Sequence, residues 1–585
     1  MNTPVSPTLR ALLQQWCDRL LTLQLDRPEP ELDGGVLCPS CQLLHGRIAD
    51  AAYPLLTLAD CTGESKYIRA AERCVDWAAR TLRLHNGAFR NERVNGWTGI
   101  TVFTAIALSE ALLRHGHLLA ESTAARWKSY IADGIEYLDA NLNVTFFPVV
   151  NYPVSLCAAK ALAGRLLHRP DWVESARQAA HAICDTLTPE GLLPGEAHPI
   201  DGVSPKGCRP IDIGYNIEES VPALMICAAE TGDPVLQART DEAMRAHLHF
   251  LLPDGGLDNS FGCRSAKWTY YGSRTSDGAP VGLARRLDDP LFAEAAQRCV
   301  DALMRCTADG LLTGGPMQAA AGEPTCVHHT FCHAKSVAAL LDAGFSAPSV
   351  RRSFPWETDG ITPYPSMHVT QVRCGAWYAS VSDFDFPSDP GLYCSGGTLT
   401  LLHHRAVGAV LAAAMPIYRP VEPTNMQFPR RADAECPAVE LTRTIDGRVF
   451  RSCLDRTAVM ETVADAVTVR GHLTDRTACT DAPYRFTYTF SPDAVHLTAW
   501  CAADCTLRIP LISAPSEQIQ CTPHRVASAA SGWVRLLTSD AVLAPSLPDP
   551  ADRVFHPVGG WTRFPVSVSL RGGESVSCTV RIAAE

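Results

Sequence analysis

The chain has 585 residues, 46% hydrophobic, 19% charged and 7% aromatic, which excludes a disordered chain, a collagen-like fibre and a coiled-coil rod. Its net charge is -11, from 51 Lys+Arg against 62 Asp+Glu, and no basic block interrupts it, so neither nucleic acid nor an anionic membrane is an expected partner. An anionic substrate remains compatible, because a few clustered Arg and His residues invert the local field.

The first twenty residues, MNTPVSPTLRALLQQWCDRL, carry no basic segment leading into an apolar run, and no stretch reaches the roughly 18 apolar residues that span a bilayer. The expectation is a cytoplasmic protein. Its 23 cysteines lack framework spacing and read mostly as reduced core residues. One group differs: Cys38-Pro39-Ser40-Cys41 with His45 close behind is half of a zinc site or a redox pair, and Cys326, His328, His329, Cys332 and His333 form a second group.

An internal repeat organises the helical half. Thr62-Gly63-Glu64, His168-Arg169-Pro170-Asp171, Thr231-Gly232-Asp233-Pro234 and Leu287-Asp288-Asp289-Pro290 each open an amphipathic helix with turn residues and an acidic or proline-bearing first turn. About 22–24 residues later come Asn86-Gly87, Glu190-Gly191, Asp254-Gly255 and Asp309-Gly310 turns. The period is roughly 55–65 residues, with a degenerate copy at 122–141. A further helix is expected at 8–24. Between these copies lie apolar helices beginning near His45, Trp97, Tyr152, Tyr215, Asp277 and His328; residues 98–113 are apolar almost all round, as an inner helix should be. Six outer and six inner helices make six hairpins, hence an (α/α)6 toroid over 1–345.

Period-two segments such as Tyr484-Arg-Phe486-Thr-Tyr488-Thr-Phe490 and Val495-His-Leu497 follow, as do Val467-Thr-Val469 and a hairpin over 395–414. They predict an antiparallel β-sandwich domain over 346–585.

In a toroid the inner-helix starts converge on one mouth, and here they are unusually polar. They carry His45, Arg47 and Asp50; Asn95, Trp97 and Thr98; Asn151 and Tyr152; Tyr215, Asn216, Glu218 and Glu219; Trp268, Tyr270, Tyr271, Arg274 and Asp277; and His328, His329 and His333. Trp97, Trp268 and the tyrosines offer flat faces for sugar rings. Asn216 and Glu219 stand three apart, on one face of a helix. If the toroid closes, its first and sixth hairpins become neighbours and bring Cys38 and Cys41 towards the second cysteine–histidine group, a candidate structural zinc staple.

A helical toroid followed by a large β domain, with an Asn-x-x-Glu segment one hairpin before a Tyr-Tyr pair, resembles the heparinase II/III-like polysaccharide lyases. The G-x-H-x-H-x-D pattern of that family's β domain is absent. The resemblance implies β-elimination on a uronate-containing oligosaccharide or polysaccharide. Asn216 and Glu219 would neutralise the uronate carboxylate, and Tyr270 or Tyr271 would exchange the ring proton. Tyr215, His328, His329 and Arg274 would supply supporting groups, and Trp97, Asn151, Tyr152, Glu218, Trp268, Asp277, His45 and Arg47 would bind substrate. Such chemistry needs no cofactor. It does need the enolate-like charge stabilised and a tyrosine whose pKa of about 10 is lowered by cations.

Two other readings use the same cleft. A glycoside hydrolase would draw two carboxylates about 5–10 Å apart from Asp50, Glu218, Glu219 and Asp277. A non-catalytic carbohydrate-binding toroid would leave the mouth's titratable groups unperturbed.

Overall fold

The computed structural model describes residues 9–94, 96–142, 149–196, 198–263, 265, 275–386, 393–413, 438–475, 477–530, 532–546 and 559–584. The chain forms two compact units. The first comprises Met1–Ile200, Gly214–Leu251 and Gly272–Arg352; the second comprises Asp201–Ile213, Leu252–Tyr271 and Ser353–Glu585.

The first unit is helical. Its helices are α1 (Leu9–Leu23), α2 (Ala52–Thr62), α3 (Ser65–Thr81), α4 (Thr101–His115), α5 (Glu121–Asn141), α6 (Asn151–Leu166), α7 (Pro170–Cys184), α8 (Ile213–Tyr215), α9 (Val221–Thr231), α10 (Pro234–His247), α11 (Pro280–Leu283), α12 (Pro290–Arg305) and α13 (Val327–Asp342). A 3-10 turn (Gly46–Ala51) leads into α2, and a π turn (Asn216–Ser220) joins α8 to α9. The outer helices start as their sequences dictate. Asp233 accepts hydrogen bonds from the Val235 and Leu236 amides, Asp289 from Leu291, and Pro170, Pro234 and Pro290 occupy first turns where no amide is needed.

The four repeat turns share one geometry, with Gly87, Gly191, Gly255 and Gly310 in the left-handed region at φ 87, 82, 78 and 76°. A side chain is strained there, so the glycine of the repeat is a backbone requirement.

The inner helices close a ring: α2 packs on α4, α4 on α6, α6 on α9, α9 on α11, α11 on α13, and α13 returns to α2. That closure is what buries α4, α6, α9 and α13 on almost every side. It makes this half an (α/α)6 toroid. The inner segment expected from Asp277 is only the four-residue α11, opened by Pro280 and followed by the Arg285–Asp289 turn.

In the second unit, eighteen described strands from Gly360–Tyr364 to Ser575–Ala584 pair antiparallel in one connected system. Alternate side chains fill one apolar core, including Tyr484, Phe486, Tyr488, Leu507, Ile509, Val566 and Val568. Two segments from within the helical repeat belong to this unit. Ser204 bonds Asp385, Lys206 bonds Asp383 at 2.8 Å, and Asp258 accepts from the Tyr378 hydroxyl at 2.6 Å. Periodicity cannot reveal such tethers, because they are set by single buried polar contacts.

Candidate active site

The inner-helix starts carry a buried ion cluster. Arg47, in the 3-10 turn, donates to Asp50 at 2.6 Å, to the Thr275 carbonyl at 2.9 Å and to Asp277. Lys335, on α13, stands 2.8 Å from both Asp50 and Asp277. Two cations and two carboxylates therefore balance inside the ring, and Phe103 of α4 stacks 4.0 Å from the Arg47 guanidinium. Burial pushes the Asp277 carboxyl up, but Lys335 and Arg47 outweigh it and hold it below its ordinary value.

Glu219 joins this cluster as an acid. It is buried, accepts a hydrogen bond from Asn151, and has its pKa pushed up to about 8 by burial and by the charge of Asp277, against the partial relief of Arg47, Asn151 and Lys335. At neutral pH its surroundings favour the protonated form. One side of it faces a recess of about 20 Å³, walled by Tyr53, Ile106, Ala223 and Ile226. That space holds a water but no sugar ring, so substrate does not approach from there.

Asn216 is clamped. Its amide nitrogen donates to the Leu193 carbonyl at 2.7 Å and lies 3.1 Å from His247 Nε2. His247 Nδ1 lies 2.7 Å from the Ala243 carbonyl, which fixes Nε2 as the acceptor. Burial drives the His247 pKa down to about 4, so the ring stays neutral. With its nitrogen committed, Asn216 retains Oδ1, which is itself buried and has no hydrogen-bond partner among the described residues. Asn216 and Glu219, expected to share a helix face, instead bond different partners. They lie in a π turn, whose wider winding breaks the three-residue register of an α-helix.

The remaining candidates form two smaller groups. Glu218 accepts from Ser276 at 2.8 Å and lies 3.7 Å from His333 Nε2, and His333 meets the His329 ring edge-on at 4.5 Å. Trp97 donates to the Tyr152 hydroxyl at 3.1 Å and remains 40% exposed. The Tyr215 hydroxyl is 3.4 Å from Thr275 Oγ1. His45 and His328 are buried against each other, ring centroids 4.7 Å apart, on the side of Cys38 and Cys41. Asn95, Trp268, Tyr270, Tyr271 and Arg274 lie outside the described residues.

Sequence reading missed Lys335 and His247. A lysine within the apolar run Phe331–Leu340 is a signal in itself, since a buried ammonium requires partners. His247 ends an outer helix and offers no such sign. In the second unit an open groove of about 760 Å³ also went unforeseen; Lys206, Tyr364, His368 and Arg456 are among its walls.

Residues 13–358 match the N-terminal domain of ulvan lyases and residues 361–583 their C-terminal domain. The chain belongs to the ulvan lyase family. A broad-specificity ulvan lyase from Formosa agariphila is 32% identical over 584 residues, spanning 95% of this chain and 91% of that protein. Among solved structures, a chondroitin AC lyase from Streptomyces coelicolor A3 aligns with TM-score 0.55 at 15% identity, over 100% of this chain and 81% of its own. A heparinase III aligns with TM-score 0.57 at 12% identity, over 100% and 88%. Both share the toroid-plus-β fold. As a member of the ulvan lyase family, the chain is a polysaccharide lyase, a carbon–oxygen lyase acting by β-elimination on uronate glycans. Hydrolysis and sugar binding without catalysis are thereby set aside. The ion cluster agrees, since Asp50 and Asp277 are committed to the same two cations.

Proposed function

We propose that the chain cleaves ulvan itself, with Asn216 meeting the uronate carboxyl and Tyr270 or Tyr271 moving the proton. The substrate assignment rests on the 32% identity to the Formosa agariphila enzyme across nearly the whole chain. Elimination removes the proton α to the uronate carboxyl, forms a carbon–carbon double bond and expels the glycosidic oxygen, which then takes up a proton. The obstacle is the weak acidity of that α-proton next to a carboxylate.

Asn216 has only its buried Oδ1 left to offer, so it accepts from the carboxyl after that group has taken up a proton from solvent, and the proton returns to solvent when the product leaves. A neutral acid releases its α-proton more readily than a carboxylate does. Glu219 acts through Asn151, and His247 through Asn216; both are positioning residues. Tyr270 or Tyr271 takes the α-proton and returns one to the departing oxygen, with Arg274, His328 and His329 lowering the tyrosine pKa. Trp97 and Tyr152 carry an adjoining sugar ring.

The test compares ulvan with carboxyl-reduced ulvan. Ulvan should be depolymerised and the reduced polymer left intact. Equal cleavage of both would remove the carboxyl from the mechanism.

A further inference from the structure

We propose that Cys38, Cys41, His45 and Cys326 bind one zinc ion that closes the helical ring. The ligand atoms of Cys38, Cys41 and His45 all lie within 4.8 Å of one another, and Cys41 Sγ is 2.9 Å from His45 Nε2. Cys326, at the start of α13, lies close enough to Cys38 for its thiol to influence that of Cys38. Three sulfurs and one imidazole nitrogen make up a structural zinc set. A tetrahedron with zinc–sulfur bonds of about 2.3 Å puts its sulfurs about 3.8 Å apart, so Cys38, Cys41 and His45 need only small shifts to bind.

The backbone is built to present these groups. Leu37 and Leu44 form a β-bridge, the Cys38 amide donates to the Leu43 carbonyl at 3.0 Å, and the Gln42 amide returns to the Cys38 carbonyl at 3.0 Å. Gln42 takes a left-handed φ of 58°, which tightens the knuckle and sets both thiols on one side of it. Cys326 caps the start of α13, so the fourth ligand arrives from the far end of the helical repeat.

The surroundings fit a metal as well. His45 turns Nε2 to the sulfurs and Nδ1 to Glu92, 3.5 Å away and itself buried, the carboxylate–imidazole arrangement that orients a zinc-bound histidine. Cys38, His45 and Cys326 are buried while Cys41 is exposed, which gives an ion a way in. The other acid–thiol group, Asp50, Asp277 and Cys332, has its two carboxylates already paired with Arg47 and Lys335.

Zinc at this site would lock the 3-10 turn bearing Arg47 and Asp50 to the helix bearing Lys335. Its role would be structural.

The measurement is metal content of the full chain, purified in reductant and dialysed against zinc-free buffer. One zinc per chain is expected, with none in Cys41→Ser or Cys326→Ser and an unchanged content in the control Cys61→Ser. Glu92→Gln should keep the site but weaken zinc binding by roughly 10–100-fold. Should the serine variants fail to fold, cobalt exchanged into the unaltered chain decides: thiolate-to-cobalt charge transfer with tetrahedral d–d bands supports the site. Octahedral bands, no stoichiometric metal, or a Cys38–Cys41 or Cys38–Cys326 disulfide in the purified chain would overturn it. None of these readouts depends on lyase activity.

Discussion

Glu219 is the residue whose chemistry is set most sharply by its surroundings. A carboxyl with a pKa of about 8 enters the folded state protonated, whereas in the unfolded chain it ionises near its ordinary value of about 4.3. Between those values the unfolded state sheds a proton that the folded state keeps, so this group's contribution is full at low pH and is lost as pH rises towards 8. Glu219→Gln should flatten the stability–pH curve in that window, as followed by denaturant unfolding at several pH values. Because the group acts as a neutral hydrogen-bonding side chain, Glu219→Gln should also keep turnover within about tenfold, while Glu219→Ala should lose about 10²–10³-fold. His247 has the opposite sign. Buried neutral, it loses its contribution as pH falls from about 6.5 towards 4. His247→Ala, which frees the Asn216 amide, should lower kcat with little change in KM. Tyr270→Phe and Tyr271→Phe bear on proton transfer directly: one of them should abolish turnover in a protein with unaltered melting behaviour. Full activity in both would remove tyrosine from the mechanism.

At the scale of elements, the inner ring is held by close backbone approach as much as by ion pairs. A Cβ on Gly282 would stand 2.5 Å from the Pro222 Cα, where α11 meets α9 and nothing flexible can yield. Gly282→Ala should destabilise the fold by about 1–3 kcal/mol, readable as a lower denaturation midpoint. Lys335→Ala leaves Asp50 and Asp277 short of one cation in a dry interior and should cost about 3–5 kcal/mol by the same measurement. The helices themselves were legible. Asp233-Pro234 and Asp289-Pro290 announce their helix starts, and apolar runs such as 98–113 announce the inner ring, because caps and burial are written residue by residue. The π turn at Asn216–Ser220 was not, since its residues read equally well as α-helix and the register change comes from how α8 meets α9. The pairing of Asn151 with Glu219 was equally hidden: each was legible as a polar helix start, but their contact depends on which helices become neighbours.

Over the whole molecule, toroid and β domain follow from the switch of hydrophobic period from 3.6 to 2 along the chain, the strongest signal a single sequence carries. The tethers of Asp201–Ile213 and of the Asp258 segment to the β unit escaped, because Asp258, Asp383 and Asp385 work through single buried hydrogen bonds that no periodicity encodes. Of the site, residue types and their convergence were legible. The protonation of Glu219 and the orientation of Asn216 were not, because both are produced by packing around them. The reaction at issue is removal of the α-proton of a uronate, with departure of the glycosidic oxygen, and ulvan is its proposed substrate. The most direct test mixes the purified chain with ulvan and follows ultraviolet absorbance of the conjugated double bond alongside new reducing ends. The account predicts that the two rise together, one double bond for each chain cut; reducing ends accumulating without that absorbance would contradict it.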